Sequence, residues 1–409
     1  MLHFHHQPPP YPVRRQETID AITKLCADEA WTRLEGAPEL EADLAAFHHN
    51  DPQGRPPLPW FISSGTAALE AIMLGHGIGP GDQVLTTPYT WGATVSAILA
   101  IGAIPRFADI DLHSGLLTAE TIAAALTPQC KAVLVVHLFG QSCDMAGIRE
   151  VCNAHQVLLF EDASQAHGAR WQGQRVGDWG DAAAFSCMGL KPLAGSEGGY
   201  AIFRDRQAAE TAWLYGKHPR GLDNETAQRL GEQGLLDALQ LGWRNCTFSA
   251  TLLRHALPYL DQENAARRAN IAHLRQHLGD CPWVSIAPEP DDAHHVYHLL
   301  SLLWQGDHWS RETFHQRLLQ RGVENFLYIP TPIHRLKRMQ TNGYEGPPVF
   351  WHDTLKRAGI DYSQESYPAA EQRCRSSVEM GFNWTRENAA AMADLAACIL
   401  EAAQPDSGQ

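Results

Sequence analysis

A single lysine, Lys191, stands in "FSCMGLKPLAGSEGG" (residues 185–199), between an apolar run and a string of small residues. The preceding "DAAAF" and the following "GGYAIF" read as buried strands, so the lysine lies in a glycine-rich turn at a strand tip. A lysine amine, once deprotonated, forms Schiff bases with aldehydes. Three further places carry chemistry of a matching kind. "SSGTAAL" (63–69) puts Ser63, Ser64, Gly65 and Thr66 ahead of a helix, where free backbone N–H groups and hydroxyls suit a phosphate, or simply cap the helix. Trp91, in "TPYTWGAT", directly follows a strand and offers a flat face to a planar ring, although a core tryptophan is the commoner case. Asp162 ends the apolar strand of "LLFEDASQAHGA", where a carboxylate is costly unless it meets a cation or caps a helix. A protonated pyridine nitrogen is such a cation, and the ion pair keeps the ring an electron sink. Jointly, a phosphate turn, a stacking face, a carboxylate for a ring nitrogen and an amine for an aldehyde describe a site for pyridoxal 5′-phosphate (PLP).

The elements that must position these residues alternate. "PPLPWFI" gives a strand and "TAALEAIMLGHGI" a helix; "DQVLTT", "IPRFADID", "CKAVLVVHLF" and "VLLFED" are further strands. Between them lie the helical stretches "WGATVSAILAIG", "TAETIAAAL" and "DMAGIREVCNAHQ". This alternation predicts βαβ units and a mostly parallel sheet covered by helices on both faces, and runs such as "AVLVV" fit strands buried on both sides. Ligands of such sheets sit beyond the C-terminal strand ends, which is where the polar residues above fall. Residues 16–48 show helical spacing, with Ile19, Ile22, Leu25 and Trp31 on one face. Past residue 250 the pattern changes to a long helical stretch ("SATLLRHALPYLDQENAARRANIAHLRQHL"), an alternating strand ("HHVYHLLSLLW") and helices around a loop rich in Pro, Tyr and His. The expected organisation is a large domain over 1–250 with a helical leader, and a smaller α+β domain over 251–409.

Composition removes several classes of function. A net charge of −14 opposes a nucleic-acid groove or an anionic-membrane surface. Nine cysteines, at 26, 130, 143, 152, 187, 246, 281, 374 and 398, are odd in number, scattered and without a CxxC pair, against a disulfide framework or a zinc ribbon. The leader "MLHFHHQPPPYPVRR" lacks the layout of a secretory signal, and no apolar run reaches the roughly 20 residues that span a bilayer. The expectation is a soluble, cytoplasmic protein. His3, His5 and His6, and His294, His295 and His298, lack partners at ligand spacing, so no metal site is expected.

From about residue 60 to the C-terminus, the chain resembles the DegT/DnrJ/EryC1/StrS sugar aminotransferases, PLP enzymes of the aspartate-aminotransferase fold (fold type I). "SSGTAAL", "GIGPGDQVLTTPYTW", "GAIPRFADID", "VHLFGQSCDM", "EDASQAHGA", "FS" followed by "K" and "EGG", and "YPAAEQRCRSSVEMGFNWT" carry the resemblance in family order. It implies that Lys191 binds the cofactor covalently, Asp162 pairs with the pyridine nitrogen and Trp91 stacks on the ring. Gln165 matches the position on the phenolic-oxygen side. Thr66, Ala67 and Ser186 fall at phosphate-binding positions, beside Ser64 and Gly65 of the cofactor-binding turn, and Asn245 at one that reaches the neighbouring subunit's cofactor. The resemblance further implies a homodimer with shared sites and amino transfer from glutamate to a keto group of a sugar or cyclitol. Leu190 and Pro192 beside the lysine, and Cys246 and Thr247 after Asn245, depart from the family's pattern.

Two other functions fit the scaffold. A PLP dehydratase or lyase is opposed by Lys191, since family dehydratases replace that lysine. A non-catalytic regulatory module is opposed by the acidic charge and the absence of a DNA-binding appendage in the sequence. Finally, "YIPTPIHRLKRM" (328–339) gathers Tyr328, His334, Arg335, Lys337 and Arg338 in an acidic chain. These residues are candidates for gripping an anionic acceptor, or a solvated surface loop.

Overall fold

Continuous apolar runs of the N-terminal half form the centre of the molecule. The computed structural model describes residues 12–28, 37–49, 51, 53–217, 221–237 and 239–405. Its first strands are β1 (Leu58–Ile62), β2 (Gln83–Thr86), β3 (Ile104–Phe107), β4 (Cys130–Val136) and β5 (Leu158–Asp162). The short β6 (Arg170–Trp171) and β7 (Gln174–Arg175) follow, then β8 (Ala182–Ser186) and β9 (Gly199–Phe203). Seven of these make one sheet in the order β1-β9-β8-β5-β4-β2-β3. Neighbours pair in parallel except around β9, which runs against both β1 and β8. One face packs on helices Gly65–Gly75 and Arg206–Gly216 through Ala68, Ile72, Ala209 and Trp213. The other packs on helix Met145–His155 through Ile148 and Cys152. Coverage on both sides is why the strands carry apolar residues at successive positions instead of alternating ones.

The C-terminal part builds a second, antiparallel sheet from β10 (Val284–Ile286), β12 (Leu299–Trp304) and β13 (Ser377–Gly381). The two-residue β11 (Ala293–His294) pairs instead with β6. Helices Leu260–Leu278, Arg311–Gln320 and Ala389–Ala403 cover the second sheet, burying Leu274, Leu302, Phe314 and Ile399 together. The expected boundary after residue 250 falls inside helix Thr247–Ala256, whose Ala250 and Leu253 pack with Phe61 and Phe185 of the large sheet. The segment between β12 and β13 also returns to the first layer. Ile333, Leu355 and Tyr362 pack on Val95 and Leu99. Helix Pro368–Ser376 lacks a side-chain cap of its own, and Asp109 supplies one by accepting from the N–H groups of Ala369 and Ala370, each at 2.9 Å.

Two sequence expectations are refined. The long stretch after residue 248 is two helices, Thr247–Ala256 and Leu260–Leu278, joined by a 3₁₀ turn at Leu257–Tyr259. Pro258 lies in that turn and has no N–H to continue an α-helix. The leader contributes helices Pro12–Ala27 and Pro38–Phe47, while Trp31 and His3, His5 and His6 lie outside the described residues. Among the described residues, no helix is long and apolar enough to cross a membrane.

Candidate active site

The C-terminal ends of β1, β2, β4, β5 and β8 open on one cavity of about 320 Å³. Lys191 and Asp162 line it, together with Trp91, Gln165 and Tyr328. So do Ser64, Gly65, Thr66 and Ser186. Residues that lie far apart in the chain thus meet at the strand ends, as a doubly covered parallel sheet requires.

The turn after β1 is set by close approach. A Cβ on Gly65 would stand 2.7 Å from Ser186 Cβ, and one on Gly199 would stand 2.4 Å from the carbonyl carbon of Ser64. Only glycine lets the turn, β8 and β9 come this near, which brings Ser64 and Ser186 to one wall. Ser64 is the N-cap of helix Gly65–Gly75 and accepts from Ala67 N–H at 3.1 Å. Cap and cavity wall therefore coexist: Gly65 and Thr66 sit at the helix N-terminus facing the cavity, where the helix dipole favours an anion. Ala67 is buried, spends its N–H on the cap and does not line the cavity.

Asp162 is buried at the end of β5. No helix follows it, so the helix-cap role does not arise. Its Oδ1 accepts from Ser164 N–H at 3.2 Å, and its Oδ2 from Thr94 Oγ1 at 2.8 Å. Thr94 in turn lies 3.0 Å from the Thr90 hydroxyl. These threonines orient the carboxylate, and sequence reasoning passed over them; their spacing of four residues around the start of helix Gly92–Ala100 was the available signal. Trp91 precedes the same helix and leaves much of its ring exposed, at 55%.

Lys191 sits in the excursion between β8 and β9, which closes through Cys187 N–H to Gly198 O (2.8 Å) and Gly195 N–H to Cys187 O (2.8 Å). Burial lowers the lysine pKa below its ordinary value, and the Asp162 charge pulls against that shift. Among the described residues its amine has no ion-pair partner, so the group stands available for chemistry. The other acid of the wall, Glu197, was not singled out from sequence. Gln165 donates from Nε2 to Tyr328 Oη at 3.1 Å, and burial pushes the Tyr328 hydroxyl up to about 12.

The remaining sequence candidates lie elsewhere. Asn245 does not line the cavity, and its Nδ2 donates to Phe61 O at 3.3 Å. His334 is buried and meets Glu371 at 3.2 Å. Arg335 donates to the same carboxylate at 3.1 Å and to Ser363 O. Arg338 lies over the Trp351 ring, 4.7 Å from its centroid. Of this segment only Tyr328 lines the cavity; His334 and Arg335 meet Glu371, and Arg338 lies over Trp351. Among the described residues, no group of three His, Cys, Asp or Glu side chains is arranged to hold a metal ion.

A profile of the DegT/DnrJ/EryC1/StrS aminotransferase family matches residues 12–351, and the chain belongs to that family. Protein MosB of Rhizobium meliloti is 37% identical over 341 residues, covering 78% of this chain and 66% of its own length. A dTDP-3-amino-3,6-dideoxy-alpha-D-galactopyranose transaminase of Aneurinibacillus thermoaerophilus is 31% identical, covering 76% of each chain. An L-glutamine:2-deoxy-scyllo-inosose aminotransferase of Streptomyces kanamyceticus is 33% identical, covering 66% of this chain and 64% of its own. The crystal structure of S. venezuelae DesV in complex with a ketimine intermediate superposes with a TM-score of 0.77 at 27% identity, covering 97% of both chains. The α/β architecture is thus that of the PLP aminotransferases of this family.

Proposed function

We propose that the chain is a PLP-dependent aminotransferase that moves an amino group, donated by glutamate, onto a keto carbon of a sugar or cyclitol. The observation that carries this reading is the cavity itself, where Lys191, its amine made easier to deprotonate by burial, shares one wall with Asp162 and the Ser64–Thr66 turn. The residues fit the cofactor: a helix N-terminus and two serines for a phosphate, a buried carboxylate for a ring nitrogen, an open indole face for the ring. PLP, when bound, supplies an exchangeable aldehyde and an electron sink. Lys191 would hold the cofactor covalently and, once displaced by the donor, move the proton between substrate carbon and cofactor. Asp162, oriented by Thr94 and Ser164, would keep the ring nitrogen protonated. The relatives' names, which include a sugar transaminase and a cyclitol aminotransferase, support the acceptor class.

The proposal includes a homodimer that shares its sites, works in the cytoplasm and engages neither nucleic acid nor membrane. Trp91 and Met188, which line the cavity, are exposed at 55% and 37%, and Leu190, next to Lys191 in the chain, at 64%; a second copy would cover these apolar side chains. Asn245 would then act toward the partner's site. The test is spectroscopic. The purified protein mixed with PLP should show a lysine-linked chromophore that borohydride traps, and glutamate should discharge it. A protein that neither forms the chromophore nor reacts with glutamate ends the reading, and a fully active monomer in sedimentation ends the shared site.

A further inference from the structure

One carboxylate in the cavity wall has no work assigned to it. Glu197 lines the cavity together with Lys191, Met188 and Ser186, and it is exposed. Among the described residues it makes no hydrogen bond and no ion pair. Its place is set by the backbone of the excursion between β8 and β9. Gly189 N–H donates to Ser196 O at 2.9 Å, and Cys187 N–H to Gly198 O at 2.8 Å, so the turn that carries Lys191 closes on both sides of Glu197. Ser196, the residue before it, has φ 72°, a left-handed setting that favours glycine. A serine keeps such a setting only where the surrounding structure enforces it. One excursion thus presents an amine and a carboxylate to the same space.

Charge decides what such a wall accepts. Among the described residues, its charged side chains are Lys191 against Asp162 and Glu197. On the PLP reading Asp162 is engaged by the ring nitrogen, and the cofactor's phosphate adds further negative charge. Glu197 is then surplus to holding the cofactor, and it repels both carboxylates of glutamate. An ionised carboxylate offers two oxygens that only accept, so its complement is a group rich in O–H donors. Such charge-assisted bonds are stronger than those between neutral groups.

We infer that Glu197 sets the specificity for the amino acceptor: it accepts hydrogen bonds from the hydroxyls beside the keto carbon of an uncharged, polyhydroxylated ring ketone, the cyclitol class. The inference rests on the aminotransferase reading above and narrows it. An acceptor carrying a diphosphate would bring more negative charge to a wall where carboxylates already outnumber the one cation. The same carboxylate works against the donor, so removing its charge moves the two half-reactions in opposite directions. A turn merely loosened by substitution would impair both.

The experiment compares PLP-loaded wild type with Glu197→Gln, which keeps the side chain's shape and removes its charge. Two acceptors are offered, a pentahydroxycyclohexanone and its analogue lacking both hydroxyls beside the keto carbon. In wild type the analogue should lose about tenfold or more in kcat/KM, since a site built to bond hydroxyls rejects a ligand without them. Glu197→Gln should lose about tenfold on the full ketone and stay near wild type on the analogue. Its KM for glutamate should fall by about twofold at low salt, where repulsion is least screened. No loss on the full ketone, equal losses on both ketones, or a higher glutamate KM overturns the inference. So does a wild type that takes the amino group from glutamate and passes it to neither ketone. Failure of the wild type to react with glutamate at all would instead overturn the aminotransferase reading, so the two failures are separable.

Discussion

The cavity wall and the basic segment at 328–339 present similar raw material, polar and charged side chains on loops, yet the fold treats them differently. At the strand ends the polar groups line one cavity: Lys191 makes no ion-pair contact among the described residues but feels the Asp162 charge, and Asp162 is oriented by two donors. The basic segment, Tyr328 apart, lies outside the cavity lining, and part of its charge is met locally. Glu371 takes both His334 and Arg335, and the Arg338 guanidinium rests on Trp351. A cluster of charges in the sequence is thus weaker evidence of a site than single polar groups that the fold gathers on one cavity wall.

Substitutions can break or sharpen this contrast. The largest effect belongs to Lys191→Ala, which should abolish turnover and the lysine-linked chromophore while circular dichroism shows a folded protein; a trappable chromophore on the variant would move the covalent role elsewhere. Asp162→Asn should retain PLP but lose several orders of magnitude in rate, because an amide cannot balance a pyridinium charge. Rates within a few-fold of wild type would reduce Asp162 to a turn residue. Thr94→Val removes one hydrogen bond to that carboxylate and should cost about tenfold in kcat, in line with a bond to a charged group. An unchanged kcat would show that Ser164 alone orients Asp162.

A smaller effect concerns stability without cofactor. Burial lowers the Lys191 pKa in the folded chain below its unfolded value. The folded state therefore binds fewer protons than the unfolded one as pH rises between the two values, and stability climbs with pH there. Below the folded value, Lys191→Ala should stabilise the cofactor-free protein, and the advantage should fade toward the ordinary lysine pKa in denaturant titrations. A pH-independent difference would point to packing instead of charge. The smallest effect is expected for the double variant Arg335→Ala and Arg338→Ala: about 1 kcal/mol or less of stability, as for exposed pairs, and an acceptor KM within twofold of wild type. A large rise in KM would restore the segment to the substrate path.

Much of the architecture is legible in the chain because it is written in local periodicity. Apolar runs of strand length alternating with helical spacing dictate a parallel sheet, and the chemistry-bearing residues follow strand after strand at its C-terminal ends. Glycines such as Gly65 and Gly199 mark close backbone approach directly. Helix starts and breaks are equally local, as Pro258 shows.

Pairing across long separations is a different matter. Thr94 meets Asp162 across 68 positions, Gln165 meets Tyr328 across 163, and Arg335 meets Glu371 across 36. No periodicity encodes such contacts; they depend on crossover order, on which way a side chain leaves its strand end, and on the return of the segment before β13 onto the large sheet. The sequence by itself determined which groups stand at the strand ends and so what chemistry the site can perform. Only the tertiary structure decided which of those groups are matched by a neighbour and which still face the cavity, because hydrogen-bond satisfaction is a property of three-dimensional neighbours and not of residue type.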